Sequence, residues 1–421
     1  MSAFPIIRWV EPNGMAGSAR WRSESGTAPH KRVVVADEQM SADTAYRLAC
    51  EGTALLWRGD FQNARQMLLA MGRRADEKAR NARRPPKATK ATAKPGKPRQ
   101  AAPIADHANA ATIAVPLPPT EAFNLHRLAQ SQRARTLGML LLPMAGDYTV
   151  LLRRAPDLQR ACIEAYGLPG NDGHSGDSVV AMREILGLIG AHEWRKKGVP
   201  VAALGENIHP HYGVFAPIRN EYVGLVADIP LPKSAADKSG TLPLAFDIGT
   251  GTGVLAAVLA KRGVARIIAT DMDRRAIVCA NENMRKLKIA PRVQVIEADL
   301  FPEGQAPLIV CNPPWIPARP SSPLEGAIYD PDSRMLRGFL AGLASHLTAD
   351  GEGWLIISDI AEHLGLRSRD DLLAWIAAGG LVVSERHDVR PTHPRVSDAT
   401  DPLHAARAAE VTSLWRLAAR A

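Results

Sequence analysis

The stretch Asp247-Ile-Gly-Thr-Gly-Thr-Gly253 decides the fold of this chain of 421 residues. The apolar run before it, Pro243–Ile248, predicts a buried strand, and Val254–Arg262 after it predicts a helix. Glycines at such a turn let a ligand approach the backbone closely, because no Cβ stands in the way. The stretch therefore predicts a nucleotide-type cofactor pocket at the carboxyl end of a strand.

Strand and helix patterns alternate from Leu242 onward. Several of the strands are continuous apolar runs, as expected of parallel strands that are covered on both faces. This alternation predicts an α/β fold with a doubly wound, seven-stranded, Rossmann-like sheet. The predicted strands are Pro243–Ile248, Arg266–Thr270, Arg292–Glu297, Leu308–Cys311, Trp354–Ser358, Leu381–Val389 and Val411–Leu417.

The positive charge of the chain is concentrated in one segment. Residues 73–99 contain eleven Lys and Arg against Asp76 and Glu77, and the remaining residues carry equal numbers of basic and acidic side chains. A segment this rich in Lys, Ala, Pro and Thr cannot bury enough apolar surface to fold, so we expect a disordered linker. The segment fits a solvated tether between two folded regions. Alternatively, its positive charge fits an arm that binds a polyanion such as RNA.

The linker separates regions of different character. We expect a small accessory N-terminal module over 1–72, the basic linker over 73–104 and a mainly helical domain over 105–200. A hairpin connector over 201–240 then leads into the α/β domain over 241–421.

Cysteine usage and hydropathy indicate where the protein works. No two of the four cysteines form a C-x-x-C pair, so we expect neither a disulfide framework nor a metal site. No secretory signal pattern opens the sequence. The most apolar stretch, Leu137 to Ala145, is too short to span a bilayer. These features favour a cytoplasmic protein without membrane contact.

Three carboxylates at strand ends select the cofactor. Asp247, beside the glycines, suits the cationic amino-acid part of S-adenosylmethionine and would repel a pyrophosphate. Asp271 suits ribose hydroxyls, and Asp299 follows the third strand at the height of an adenine amino group. Such carboxylates also cap helices, and the glycines alone fit a dinucleotide fingerprint, so a dehydrogenase remains an alternative. The predicted cofactor-binding residues are Asp247, Gly249, Thr250, Gly251, Gly253, Asp271, Met272, Asp299, Leu300 and Asn312.

The predicted catalytic residues, Asn312, Pro313, Pro314 and Trp315, follow the fourth strand. An amide or aryl amine nitrogen is a poor nucleophile because its lone pair is delocalised. The Asn312 side-chain oxygen and the Pro313 carbonyl can each accept one hydrogen of an NH2 group and so hold the nitrogen in place. The prolines add rigidity, and Trp315 offers a flat face for a planar target. The motif predicts transfer of a methyl group to such a nitrogen, with a non-catalytic binding protein as the alternative.

From Asp247 to about His363 the sequence resembles class I methyltransferases, most closely the HemK/PrmC family, which methylates a glutamine side-chain amide in translation release factors. Besides the two motifs, Asp271–Ala276 and Asp299-Leu-Phe301 are similar to the family's second and third strand patterns. The stretch from Arg195 to Phe215 is similar to the segment that joins the family's helical substrate domain to its catalytic domain. The resemblance covers about residues 190–420.

The resemblance implies that S-adenosyl-L-methionine is the cofactor, that residues 105–200 recognise the substrate and that a release-factor glutamine is the target. Trp315 replaces the family's usual tyrosine. Related enzymes with the same asparagine-proline-proline-aromatic motif act on adenine or guanine amines in ribosomal RNA or DNA. The basic arm of residues 73–99, with Trp315 as a stacking surface, keeps that alternative open.

Overall fold

The computed structural model describes residues 4–82, 117–171, 173, 176–219, 221–233, 240–320, 323–392 and 398–420. The N-terminal part forms a six-stranded mixed sheet in the order β1-β2-β6-β5-β4-β3. The pairs β1–β2 and β5–β6 are antiparallel and the other neighbours are parallel. Its elements are β1 (Ile6–Val10), β2 (Ala16–Arg22), β3 (Arg32–Ala36), α1 (Ala42–Cys50), β4 (Thr53–Trp57), α2 (Phe61–Ala82), α3 (Pro119–Leu137), β5 (Leu140–Met144), α4 (Gln159–Tyr166), β6 (Ser178–Ala181) and α5 (Met182–Lys197).

This sheet joins two regions that the sequence analysis separates. Strand β5 pairs with β4 through Leu55 and Leu140, and β6 pairs with β2 through Arg20 and Ser178. The described residues of 1–72 and 105–200 thus build one α/β unit, which replaces the predicted accessory module and mainly helical domain. Short apolar runs such as β5 fit a buried helix as well as a strand, so their periodicity could not separate the two.

The first ten residues of the predicted linker are helical. Residues 73–82 continue helix α2, where Arg74 Nε lies 2.6 Å from Asp43 Oδ1 and Arg133 Nε lies 2.7 Å from Asp76 Oδ1. These ion pairs join α2 to α1 and α3, which explains how a strongly charged segment can remain helical. The rest of the basic arm, from residue 83 onward, lies outside the described residues.

The connector is short. Strands β7 (Val199–Val201) and β8 (Glu206–Ile208) form an antiparallel hairpin, and α6 (Glu221–Asp228) follows. The hairpin closes before the stretch through Phe215 that we expected it to include. Helix α6 packs against the next domain.

The C-terminal domain is the predicted seven-stranded sheet, with order β11-β10-β9-β12-β13-β15-β14. Only β15 runs antiparallel to its neighbours. The prediction of a doubly wound α/β sheet is confirmed. The elements are β9 (Leu244–Ile248), α7 (Val254–Lys261), β10 (Arg266–Asp271), α8 (Arg274–Lys286), β11 (Val293–Glu297), β12 (Ala306–Cys311), two 3-10 turns (Pro323–Ala327 and Pro331–Ser333), α9 (Arg334–His346), β13 (Leu347–Ser358), α10 (Ile360–His363), α11 (Arg369–Ala378), β14 (Leu381–Val389), α12 (His404–Ala409) and β15 (Thr412–Ala419).

Hydrophobic clusters cover both faces of this sheet. One contains the buried side chains of α6 and α7, and the other contains those of α9 and α11. Burial of β12 and of all but the first residue of β9 accounts for their largely apolar sequences. Among the described helices, none combines the length and apolarity needed to cross a membrane.

Helix α3 connects the two domains. Its C-terminal half is held by the Arg133–Asp76 ion pair. At its N-terminal end, Thr120 Oγ1 donates to the Leu364 carbonyl oxygen at 3.0 Å, and Phe123 is buried with Ile360 and Leu364. The helix is therefore fixed at one end to the N-terminal domain and at the other to the carboxyl edge of the seven-stranded sheet.

Candidate active site

The two predicted motifs lie side by side. Strands β9 and β12 are neighbours in the sheet, and Val310 pairs directly with Asp247. The strand order reverses between these two strands, which is where open α/β sheets bind ligands. The glycine-rich turn and Asn312 consequently share one carboxyl edge, as the sequence predicts.

Asp247 holds the glycine-rich turn together. Its Oδ2 accepts hydrogen bonds from Thr250 Oγ1 at 2.6 Å and from the Ala256 backbone N–H at 3.0 Å. Burial raises the pKa of Asp247 to about 6. Asp247 thus stabilises the first turn of α7, and Thr250 helps to shape the loop. A ligand contact through the other carboxylate oxygen, Oδ1, remains a prediction.

The space above the turn suits a bound cofactor. Gly251 has a φ of +55°, and a Cβ built on it would meet no atom within 4 Å. Gly253 has a φ of +82°, which favours glycine, and a Cβ there would lie 2.6 Å from the Met284 side chain and 3.3 Å from the Ala280 side chain on α8. Gly249 has a φ of +72° and faces the Met335 side chain. The turn is therefore open at Gly251, whereas Gly249 and Gly253 face methionine side chains.

Asp271 links the second strand to the same turn. Its Oδ2 accepts the Gly251 N–H and its Oδ1 accepts the Asp273 N–H, both at 2.9 Å. Burial raises the pKa of the Asp271 carboxyl. Each carboxylate oxygen can accept a second hydrogen bond, so the arrangement fits ribose hydroxyls. Met272 beside it is 65% exposed, which leaves its side chain available to a ligand.

Asp299 lies farther out than the other two carboxylates. It is exposed and forms an ion pair of 2.5 Å with Arg334 at the start of α9. Leu300 has a φ of +75°, and its carbonyl oxygen accepts a hydrogen bond from Thr270 Oγ1 at 2.6 Å. The third strand motif thus forms the rim of the pocket, and its contacts with an adenine remain predictions.

The Asn312–Trp315 motif departs from the expected geometry in one respect. Trp315 packs against three hydrophobic clusters and meets the Tyr222 ring edge-on, with ring centroids 6.4 Å apart. Its Nε1 donates to Asn312 Oδ1 at 2.9 Å. The indole is thus only partly available as a stacking surface, whereas Asn312 is partly exposed at the strand end.

Two residues outside the predicted catalytic and cofactor-binding sets support the site. Arg367 is 5% exposed. Its Nη1 lies 3.5 Å from the Trp315 carbonyl oxygen, and its Nη2 lies 3.5 Å from the Ser358 carbonyl oxygen. Asn283 is fully buried, where it donates to the Thr252 carbonyl oxygen at 2.9 Å. Asn283 is detectable as a polar residue on the buried face of α8, but no local pattern marks Arg367.

Other polar groups lie away from this edge. A cleft of about 330 Å³ on the seam between α5 and α8 is lined by charged side chains and contains none of the predicted site residues. Across the described ranges, no three His, Cys, Asp or Glu side chains come together in a way that could hold a metal ion.

Comparison with known proteins identifies the domain. The family model described as ribosomal protein L11 methyltransferase (PrmA) matches residues 235–319. The chain is 32% identical over 135 residues to the tRNA1(Val) (adenine(37)-N6)-methyltransferase of Pedobacter heparinus, which is 29% of this chain and 58% of that protein. This is a class I S-adenosylmethionine-dependent methyltransferase domain. S-adenosylmethionine is its cofactor, and the open space at Gly251, whose N–H donates to Asp271, fits that assignment.

Other relatives of the methyltransferase domain act on proteins. The ribosomal protein L11 methyltransferase of Pelotomaculum thermopropionicum is 41% identical over 69 residues, which is 16% of this chain and 22% of that protein. The release factor glutamine methyltransferase of Cereibacter sphaeroides is 38% identical over 112 residues, which is 26% of this chain and 36% of that protein. The chain spans at most 58% of the length of these three relatives.

Proposed function

We propose that this protein transfers the methyl group of S-adenosylmethionine to a planar nitrogen of a macromolecule, and that this nitrogen is the side-chain amide of a protein glutamine. The observation that carries the proposal is the pairing of Val310 with Asp247. It sets Asn312 beside the glycine-rich turn, so the acceptor and the cofactor would meet at one carboxyl edge.

The chain's own groups would act by orientation. Asn312 Oδ1 and the Pro313 carbonyl oxygen would each accept one hydrogen of the target NH2 and turn its lone pair toward the methyl group. When bound, S-adenosylmethionine supplies an electrophilic methyl carbon, which bonds to the nitrogen as the carbon–sulfur bond breaks, the sulfur keeps that electron pair and the nitrogen loses one proton. No side-chain base is needed, because alkylation makes the N–H acidic. Positioning of this kind can lower a barrier by about 7–11 kcal/mol.

Two observations support glutamine as the target. The chain is 38% identical over 112 residues to the release factor glutamine methyltransferase of Cereibacter sphaeroides. In addition, Trp315 offers only part of its ring, which suits a small carboxamide better than an extruded base. We propose that helix α3, which reaches the site from the N-terminal domain, contributes to recognition of the protein substrate. We also propose that the protein works in the cytoplasm.

The second candidate is an exocyclic base amine in RNA or DNA. It is favoured by the similarity to the tRNA adenine methyltransferase of Pedobacter heparinus and by the basic arm of residues 73–99. Because adenine also presents a planar NH2, Asn312 and Pro313 would hold it in the same way.

Transfer of labelled methyl from S-adenosylmethionine into a lysate of cells that lack this protein tests the proposal. The labelled material is divided between protease and nuclease digestion. Label released by protease, and found on a glutamine amide by mass spectrometry, is the expected result. Label released by nuclease would instead support the base amine, and a lysate with no labelled macromolecule would contradict both candidates.

A further inference from the structure

The hydrogen bond between Trp315 and Asn312 fixes which end of the asparagine amide faces the indole. Trp315 Nε1 and Asn312 Oδ1 are 2.9 Å apart. An indole N–H only donates, so the amide oxygen must be the partner. That oxygen has two lone pairs, and one of them remains for a further donor. The Asn312 NH2 group then lies on the far side of the amide carbon from the indole.

The donor itself is held firmly. The Trp315 ring packs against clusters on both faces of the sheet and against the cluster around Phe123, and it meets Tyr222 at an interplanar angle of 88°. Its backbone carbonyl oxygen lies 3.5 Å from the buried Arg367 guanidinium. A side chain packed on several sides cannot reorient without losing those contacts. The N–H therefore points at Asn312 from a fixed position.

We propose that Trp315 is a positioning residue for methyl transfer, which holds the Asn312 amide with its oxygen available to one N–H of the target. The inference rests on the proposed function, and it gives Trp315 a different task from the stacking surface that the sequence suggests. Without the indole N–H, the amide of Asn312 is free to rotate and to present its NH2 group to the target. A donor facing the target's own N–H groups would repel it.

Removal of the indole N–H of Trp315, with an aromatic ring kept in its place, tests this role in the full-length chain. Trp315→Phe should lower kcat about tenfold, as expected for the loss of one hydrogen bond that orders a reacting group, and should leave S-adenosylmethionine affinity within about twofold. Replacement of Trp315 by 3-benzothienylalanine, which keeps the two-ring shape but has sulfur in place of N–H, should give the same loss. Full activity of the benzothienyl variant would overturn the proposal.

Trp354→Phe is the matched control. Trp354 is also buried, and its Nε1 donates to Glu352 at 3.0 Å rather than to Asn312. This variant should keep the kcat of the unaltered chain. An equal fall in kcat for Trp354→Phe and Trp315→Phe would show that loss of packing is the cause and would overturn the positioning role.

A readout without turnover separates this inference from the proposed function. In the protein labelled with nitrogen-15 at its indoles, the Trp315 N–H should exchange with solvent more slowly in the unaltered chain than in Asn312→Ala. Equal exchange rates would show that the bond is absent and would overturn the inference. If the unaltered chain transfers no methyl group at all, the proposed function fails instead, whatever the exchange rates show.

Discussion

The cofactor half of the site, Asp247–Gly253 with Asp271, and the acceptor half, Asn312–Trp315, are held in place by different means. In the cofactor half, the hydrogen bonds to the two carboxylates come from the motif itself, from Ala256 and from Asp273. In the acceptor half, Asn312 is held by Trp315, which depends in turn on contacts from distant segments. The cofactor half should therefore tolerate changes elsewhere in the chain, and the acceptor half should respond to them.

The largest expected effect separates the two halves directly. Asn312→Ala removes the side-chain acceptor of the target N–H, so turnover should fall about a hundredfold or more while S-adenosylmethionine affinity stays nearly unchanged. Steady-state kinetics and calorimetric binding measure the two quantities. Asn281→Ala, on α8, serves as the control, because the Asn281 side chain donates to the Ile277 carbonyl oxygen within its own helix. A large loss of cofactor binding in Asn312→Ala would show that the acceptor half also binds the cofactor, which contradicts the separation of the two halves.

The converse change should act on the cofactor half. Asp271→Ala removes the carboxylate that receives the Gly251 N–H and, by prediction, the ribose hydroxyls. S-adenosylmethionine affinity should fall about 10- to 100-fold, since hydrogen bonds to a charged group are worth about 1.5–3 kcal/mol. Asp273→Asn is the control, because asparagine can keep the helix cap that Asp273 provides. Unchanged affinity in Asp271→Ala would move the ribose contact elsewhere.

The pH dependence of cofactor affinity should show whether ionised Asp247, in the cofactor half, contributes to binding. Because a cationic ligand favours ionised Asp247, and burial raises the pKa of this residue to about 6, affinity should fall about tenfold from pH 7 to pH 5. Calorimetric titration across this range measures the fall, and Asp247→Asn should flatten it. An undiminished fall in that variant would assign the titration to another group, such as Asp271.

The same pKa shift affects folding without the ligand. The folded state binds the Asp247 proton more tightly than the unfolded chain, whose carboxyl has a pKa of 3.8. This group's contribution to the free energy of unfolding is therefore fully present below that value and is lost as the pH rises through about 6.

The smallest effect should come from Phe123, which lies on helix α3 outside the acceptor half and packs in a cluster that supports it. Phe123→Ala opens a cavity beside Ile360 and Leu364, in the cluster that the Trp315 ring also contacts. Turnover should fall about threefold with cofactor affinity unchanged, a size typical of coupling through packed side chains. Leu125→Ala, on the same helix but 48% exposed, is the matched control. Equal kinetics for the two variants would show that α3 does not support the acceptor half.

The same contrast explains what the sequence could predict. The seven strands and the glycine-rich turn follow from patterns within a few residues, so the catalytic sheet was predicted nearly strand by strand. The six-stranded sheet was missed because β4 and β5 lie on either side of a long basic segment, and nothing local records their pairing. The support of Trp315 by Tyr222 and Arg367 was missed for the same reason, since both residues approach it only after folding.

A structure of the protein with S-adenosylhomocysteine would test the central claim, that the cofactor and acceptor halves meet at one carboxyl edge, most directly. The account predicts that the ribose hydroxyls lie within hydrogen-bonding distance of Asp271 and that the ligand's sulfur faces Asn312 across the edge of β9 and β12. A ligand bound elsewhere, or with its sulfur turned away from Asn312, would contradict the account.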